Sequence, residues 1–282
     1  MGLKKGVLRL QLWRAFHTKL LPYVVLISMV VVTACFVQTC LMFWGHDAGE
    51  MPSAATAWMG NGFRANAMLF VFYVGYFLFP LTASLFGDSL NRDQSSGMSA
   101  VIASRCSLHS YVLSGAFAAF LVAFVCALAV LLASQAVALI AFPLDAAPDA
   151  FVTLGFATTR QDEFSWLEVV PMAPLLFSNR YEYNLLYCLY DALWAGTLAA
   201  LSYAVSANVR TGRVMVIGIP TVLYIALSAA LPARFNASAM LLPPMSAMAG
   251  GVWDALVVLA LGAASVLVLL ARALLGREDL AV

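Results

Sequence analysis

Charged side chains are scarce in this 282-residue chain, which has 15 lysine and arginine residues and 14 aspartate and glutamate residues. Charged residues make up 10% of the sequence and hydrophobic residues 63%, against roughly 25% and 45–50% in ordinary soluble domains. So few polar groups cannot cover the surface of a water-soluble protein of this size. The composition excludes a disordered chain and a coiled coil, and it predicts that lipid surrounds most of the fold.

Cysteine and histidine are also few, with five cysteines and three histidines. The odd cysteine number includes no CxxC pair, and four of the five lie in apolar runs, where a thiol behaves as a small hydrophobic group. His17, His46 and His109 are far apart in sequence. We therefore expect no structural disulfide and no bound metal.

Lysine is nearly absent, since Lys4, Lys5 and Lys19 are the only three. None belongs to a GxxxxGK[ST] phosphate-binding loop, and the sequence also lacks HExxH and GxSxG motifs. No constellation of catalytic residues remains. We therefore expect no enzymatic activity and no cofactor in this chain, and no nucleic-acid partner.

Long apolar runs are the dominant positive feature, and crossing about 30 Å of hydrocarbon takes about 20 apolar residues in a helix. The runs predict a single all-α membrane domain, 1–282, with six transmembrane helices. Pro220 interrupts the fifth run, so five spans plus a re-entrant segment is the competing count. We expect the first run to remain as a span and not to be cleaved as a signal peptide. The six predicted spans are 23–44, 67–86, 111–134, 185–206, 214–231 and 253–275.

The distribution of lysine and arginine predicts the orientation, because cytoplasmic loops are enriched in these residues. Most basic residues fall on one side if the N-terminus is cytoplasmic, and then the C-terminus is cytoplasmic too. The sequence thus indicates a multi-pass membrane protein with both termini in the cytoplasm. The basic residues left on the external side are Arg64, Arg160, Arg180 and Arg234.

Two cytoplasmic segments stand out. Residues 1–20 mix apolar residues with five cations, which is typical of an amphipathic helix at the lipid headgroups or of a plain positive anchor. The residues that represent this N-terminal helix are Leu8, Arg9, Leu12, Trp13 and Phe16.

Residues 88–110 form the longest cytoplasmic loop, with a break at Ser95-Ser96-Gly97 and an apolar stripe after it. These apolar side chains must be shielded from water. Three alternatives can shield them: the protein's own helix ends, the bilayer interface or a partner subunit. The stripe comprises Met98, Val101 and Ile102.

Two external segments differ in character. Residues 143–184 form a loop that is too short for an independent domain. Residues 232–251 carry one charge and a Pro243-Pro244 break between apolar residues. This composition predicts a re-entrant hairpin buried against protein just before the last helix.

Inside the spans, Asp191 is the strongest polar feature. A carboxylate at membrane depth is costly and usually faces a bundle interior or an aqueous path, which makes Asp191 a candidate for the translocation path. The alternative is a position near the outer headgroups beside a tyrosine.

Ridges of small residues at four-residue spacing mark the third and fourth spans and favour close helix packing, inside the chain or at a subunit interface. These ridges are Gly115, Ala119, Ala123 and Ala127, and Gly196, Ala200 and Ala204.

The basic N-terminal helix, the six spans, the charged loop after the second span and the apolar hairpin before the last span occur in an order that resembles the type-2 ABC exporter permeases. In that family, the loop after span two typically has a charged pair, then Gly-Thr, an apolar helix, Ser-Arg, an aromatic residue and Gly-Lys. This chain departs from the pattern at Met98, where the family has threonine, at Ala116, where it has lysine, and at Asp93, where it has glutamate. Segments 179–181 and 206–210 resemble two further family segments. The matching residues are Arg92-Asp93, Gly97-Met98, Ser104-Arg105, Tyr111 and Gly115.

The resemblance implies a membrane subunit that pairs with a second permease copy or a paralogue and with separate ABC ATPase subunits. ATP and magnesium would then be bound by the ATPase, and membrane lipid would surround this chain. The loop 88–110 would be the coupling segment that contacts the ATPase, and the N-terminal helix would lie beside it. The implied coupling residues are Arg92, Asp93, Gly97, Met98, Val101, Ile102 and Arg105.

Two other functions remain open from the residues. One is an autonomous carrier driven by an ion gradient, with Asp191 as the coupling acid. The absence of other ionisable groups inside the spans and of convincing inverted repeats argues against it. The other is a membrane scaffold or immunity-type protein that only binds a partner.

Overall fold

The chain is predominantly helical in the part that the structure, a computed structural model, describes. These residues are 5–47, 50–61, 68–98, 101, 106–146, 175, 178–209, 211–241 and 251–275, and they contain no strand. The fold is therefore all-α, as the composition predicts. The main helices are α1 (Lys5–Phe16), α2 (Leu21–Met42), α3 (Met68–Phe72, Tyr73–Leu78 and Phe79–Ala83 in succession), α4 (Ser89–Ser95), α5 (Leu108–Ala141), α6 (Arg180–Asn208), α7 (Arg213–Ala230) and α8 (Val252–Leu275).

Five of these helices, α2, α5, α6, α7 and α8, are long and apolar enough to cross a membrane. Their lengths run from 18 residues in α7 to 34 in α5, or about 27 to 51 Å at 1.5 Å per residue. The chain is therefore a multi-pass membrane protein. Each of the five begins and ends within a few residues of a predicted span, except that α5 continues to Ala141.

The second predicted span differs from expectation, whereas the fifth is a helix long enough to span, as predicted. Apolar helix α3 is shorter than the five spanning helices, and its middle segment, Tyr73–Leu78, is a π-helical turn. Pro80 lies two residues after the end of this turn and cannot donate an amide hydrogen to the carbonyl four residues earlier. The fifth run, in contrast, forms one continuous helix through Pro220. Of the predicted hairpin, residues 242–250 lie outside the described part, as do 147–174 of the external loop.

Helices α5 and α6 form the antiparallel centre of the bundle. Gly115 near the start of α5 lies against Tyr203 near the end of α6, and Gly196 lies against Phe120. A Cβ atom on Gly196 would come within 3.0 Å of the Phe120 carbonyl oxygen, so the two backbones approach as closely as glycine allows. The predicted small-residue ridges, including Ala123 and Ala204, are buried inside this chain.

Helices α2, α7 and α8 surround this centre and present apolar side chains outward. Along α2 the buried residues follow one face, with Val24, Ser28, Val32 and Cys35 at helical spacing. On α8 almost the whole surface is exposed and apolar, and its contacts are chiefly with α6. Such a surface is compatible with lipid and not with water.

Candidate functional site

The N-terminal helix α1 packs against the beginning of α5. Gln11 and Ala15 are buried, and Leu12 and Phe16 pack on the core, while Trp13 on the opposite face is 60% exposed. Two of the five residues predicted to contact the membrane therefore face the core. Leu8 is half-buried, and Arg9 is exposed beside Trp13. The helix ends at Phe16, four residues earlier than predicted.

Asp93 on α4 connects three helices. Its carboxylate accepts two hydrogen bonds from Arg14 of α1, Nη1 to Oδ2 at 2.9 Å and Nη2 to Oδ1 at 2.6 Å. The hydroxyl of Tyr111 on α5 donates a third to Oδ2. Asp93 is only 4% exposed, and its carboxylate raises the pKa of Arg14 although partial burial opposes this. We call Asp93, Arg14 and Tyr111 the Asp93 cluster, and the end of the bundle where it lies the Asp93 end.

A second acidic residue, Asp88, connects α4 to α7. Its Oδ2 atom lies 2.9 Å from Nε of Arg213, the first residue of α7, and 3.3 Å from Nε of Arg92. Arg213 also donates to the Ser84 carbonyl at 3.2 Å. Asp88 is fully buried. Its burial raises the pKa of this carboxyl group, and the two nearby arginines oppose that shift without cancelling it.

This shift predicts how stability depends on pH at Asp88. A carboxyl group whose pKa is higher in the folded state stabilises the fold below its ordinary pKa near 3.8. That contribution is lost as pH rises through the folded-state value. We expect Asp88→Asn to remove this pH dependence, so that the variant gains free energy of unfolding relative to wild type between pH 4 and pH 7. Denaturant titrations in detergent across this range measure the difference. A deficit of the variant that grows with pH would contradict the prediction.

The predicted break at Ser95-Ser96-Gly97 is present. Helix α4 ends at Ser95, and Gly97 has a φ of +71°, the left-handed conformation that glycine supplies at helix ends. Beyond it, Met98 is 49% exposed and Val101 is 51% exposed.

The seven predicted coupling residues thus fall into distinct groups. Asp93 is buried in the chain's own cluster, Arg92 is exposed beside Asp88, and Met98 and Val101 lie on the surface past Gly97. Ile102 and Arg105 lie outside the described residues.

A second site, at the opposite end of the bundle, was not predicted from the sequence. Residues 52–60, between α2 and α3, are all buried although they form no long helix. Trp58 is 1% exposed, and its indole N–H donates to the Ser134 hydroxyl of α5 at 2.8 Å. Ser134 lies 23 residues after Tyr111, about 35 Å along α5. We call 52–60 the Trp58 segment and this end the Trp58 end.

The backbone of the Trp58 segment is held by side chains of α5 and α6. Gln135 donates to the Ala54 carbonyl at 3.1 Å, and Asn184 donates to the Ala55 carbonyl at 2.8 Å. Asn184 also donates to Gln135 Oε1 at 2.8 Å. Irregular backbone at membrane depth requires such partners. A signal was present in the sequence, because this stretch is uncharged and combines one tryptophan with small residues.

Asp191 lies inside the bundle and is fully buried. Neither of its carboxylate oxygens has a hydrogen-bond partner among the described residues. The four ion pairs found within the described ranges do not include it. The structure thus shows Asp191 buried among helices. In the same described part, no group of three histidine, cysteine, aspartate or glutamate side chains could hold a metal ion.

Comparisons with known proteins give no relative for this chain. No protein-family model matches it, and neither the curated proteins nor the solved structures contain a match. Any function is therefore argued from the geometry of the Asp93 end, the Trp58 segment and Asp191.

Proposed function

We propose that this chain is the permease subunit of an ATP-driven ABC export system in a bacterial inner membrane, with the Asp93 end and both termini facing the cytoplasm. It forms the translocation path with a second permease copy or a paralogue. Separate ATPase subunits bind ATP and magnesium and dock at the Asp93 end. The proposal follows the resemblance of the 88–110 loop to exporter permeases.

One observation carries the proposal. Met98 and Val101 expose apolar side chains directly after α4, a short helix that buried carboxylates fasten to the bundle. Exposed apolar residues on a firmly held polar element are typical of a docking surface for another protein. In the proposed arrangement this surface contacts the ATPase.

The contacts of α4 support a route by which ATPase movement reaches the membrane. A displacement of α4 acts on α1 and α5 through the Asp93 cluster, because the bidentate pair with Arg14 is short and partly buried. It acts on α7 through Asp88 and Arg213. Helix α7 packs on α6, and its Tyr224 ring lies 6.3 Å from that of Trp194, one turn from Asp191. Movement of α4 is therefore transmitted to the helix beside the buried carboxylate.

The test is co-purification of an ATPase with the tagged chain from its native cells in mild detergent. We expect the wild-type eluate to hydrolyse ATP and to contain a second, ATPase subunit by mass spectrometry. The double variant Met98→Asp/Val101→Asp should lose at least nine-tenths of that subunit, because buried charge at an apolar interface is strongly unfavourable.

The matched control is Leu144→Asp, which places the same charge on an exposed apolar residue at the Trp58 end. Leu144 is 64% exposed and follows the end of α5. This variant should keep the ATPase at the wild-type level. Unchanged ATPase recovery with the Met98 and Val101 substitutions would exclude this surface from docking, and a fully active transporter made of this chain alone would exclude the proposal.

A second candidate function, an autonomous carrier driven by an ion gradient, is favoured by one observation. Asp191 is a buried carboxyl group without a partner among the described residues, which is how proton-coupling acids are often placed. Transport that follows a proton gradient in vesicles without ATP, and that Asp191→Asn abolishes, would select this function over the first.

A further inference from the structure

The carboxylate oxygens of Asp191 have no hydrogen-bond partner among the described residues. An ionised carboxylate buried without a hydrogen bond or a cation is too costly to persist, so Asp191 stays neutral unless a cation reaches it. The four ion pairs found among the described residues lie elsewhere, at the two ends of the bundle. A cation that pairs with ionised Asp191 therefore comes from outside these residues.

Aromatic rings surround this position on two helices. Trp194 lies one turn further along α6, and its ring is 6.3 Å from that of Tyr224 on α7, tilted by 51°. Tyr190 directly precedes Asp191 on α6, and Tyr224 of α7 reaches the same region through its contact with Trp194. Aromatic faces attract organic cations, and a carboxylate among them adds a charge partner.

Of the helices facing α6 at this position, α7 contains a proline and α3 contains a π-helical turn. Pro220 lies one turn before Tyr224 in α7, and the π-helical turn of α3 lies directly before Phe79. Phe79 contacts the Tyr224 ring edge-on, with 5.7 Å between the centroids. π-turns and interrupted membrane helices occur frequently at binding sites, because they allow local rearrangement. Helix α7 also exposes most of its surface, so it can move away from Asp191 with little loss of packing.

We propose that Asp191 is the anionic centre of a binding site for an organic monocation, a substituted ammonium group enclosed by Trp194 and Tyr224. The site is closed in the present conformation, and displacement of α7 opens it. This inference rests on the proposed export function, for which it names the substrate class as cationic.

The test measures binding of radiolabelled tetraethylammonium to the purified chain in lipid nanodiscs by equilibrium dialysis. This probe carries a permanent charge and partitions poorly into lipid, so background binding is low. We expect saturable binding by wild type, at least tenfold weaker binding by Asp191→Asn, and partial recovery with Asp191→Glu. The matched control is Glu182→Gln, which removes an exposed carboxylate on the same helix and should bind as wild type does.

Variants of the aromatic wall keep the test decisive if Asp191→Asn does not fold. Tyr224→Leu removes the ring and should weaken binding about fivefold, since a cation–aromatic contact contributes on the order of 1 kcal/mol. Tyr224→Phe keeps the ring and should bind as wild type does.

Absence of saturable binding by wild type, or equal binding by wild type and Asp191→Asn, would overturn the site. Because the assay contains no ATPase, its outcome is separate from that of the docking test. Cation binding without a docked ATPase would support the binding site and contradict the ATP-driven function. A docked ATPase without cation binding would support the ATP-driven function and contradict the binding site.

Discussion

Asp93→Ala will lower the free energy of unfolding by about 3 kcal/mol, the low end of the range for breaking a buried ion pair by removing one partner. The loss is large because Arg14 keeps its charge with a side chain only 28% exposed, and Tyr111 loses the acceptor of its buried hydroxyl. The low end applies because this residual exposure gives the guanidinium access to water. Reversible denaturant unfolding in mixed micelles, followed by circular dichroism, measures the change.

A double-mutant cycle with Arg14→Ala separates the pair from the general effect of each truncation. In the Arg14→Ala background, Asp93→Ala should cost much less than in wild type, since the stranded charge is gone. The surface pair Arg234–Asp254, 3.0 Å apart with Arg234 68% exposed, supplies a matched control. Breaking it with Asp254→Ala should leave stability nearly unchanged because water screens exposed pairs. Equal losses from Asp93→Ala in both backgrounds would show that the pair does not connect α1 to α4.

Local pattern predicted much of this fold. The length of each apolar run fixed the place of α2, α5, α6, α7 and α8 to within a few residues, because crossing a bilayer demands a continuous apolar helix. Gly97 ended α4 as its sequence context indicated. These features depend on neighbouring residues only, so one sequence is enough to find them.

Contacts between distant residues were not predictable in the same way. Arg14 and Asp93 are 79 positions apart, and Trp58 and Ser134 are 76 apart. A charged pair in a loop has the same local pattern whether it faces a partner subunit or an arginine of its own chain. Asp93 was therefore expected in a coupling role, and only the packing of α1 revealed its contacts inside the chain. The π-helical turn of α3 is similar, since Pro80 indicates an irregularity but not its form.

Trp58→Ala is expected to cost about 3–5 kcal/mol of unfolding free energy, the usual range for truncating a buried aromatic residue. The side chain is 1% exposed, packs edge-on against Phe70 with 6.5 Å between ring centroids, and donates to Ser134. Its removal leaves a cavity where the Trp58 segment contacts α3 and α5. The same denaturant titration measures this loss.

Trp44→Ala is the matched control, since Trp44 lies just beyond α2 and is 83% exposed. It should leave unfolding unchanged, because truncating an exposed ring creates no internal cavity. Ser134→Ala isolates the hydrogen bond and should cost about 1–3 kcal/mol, the penalty for a buried indole N–H without an acceptor. If Trp58→Ala cost no more than Ser134→Ala, the ring would contribute nothing beyond its hydrogen bond. Hydrogen bonds such as those from Gln135 and Asn184 would then hold the buried segment, and the Trp58 end would depend on them instead of on aromatic packing.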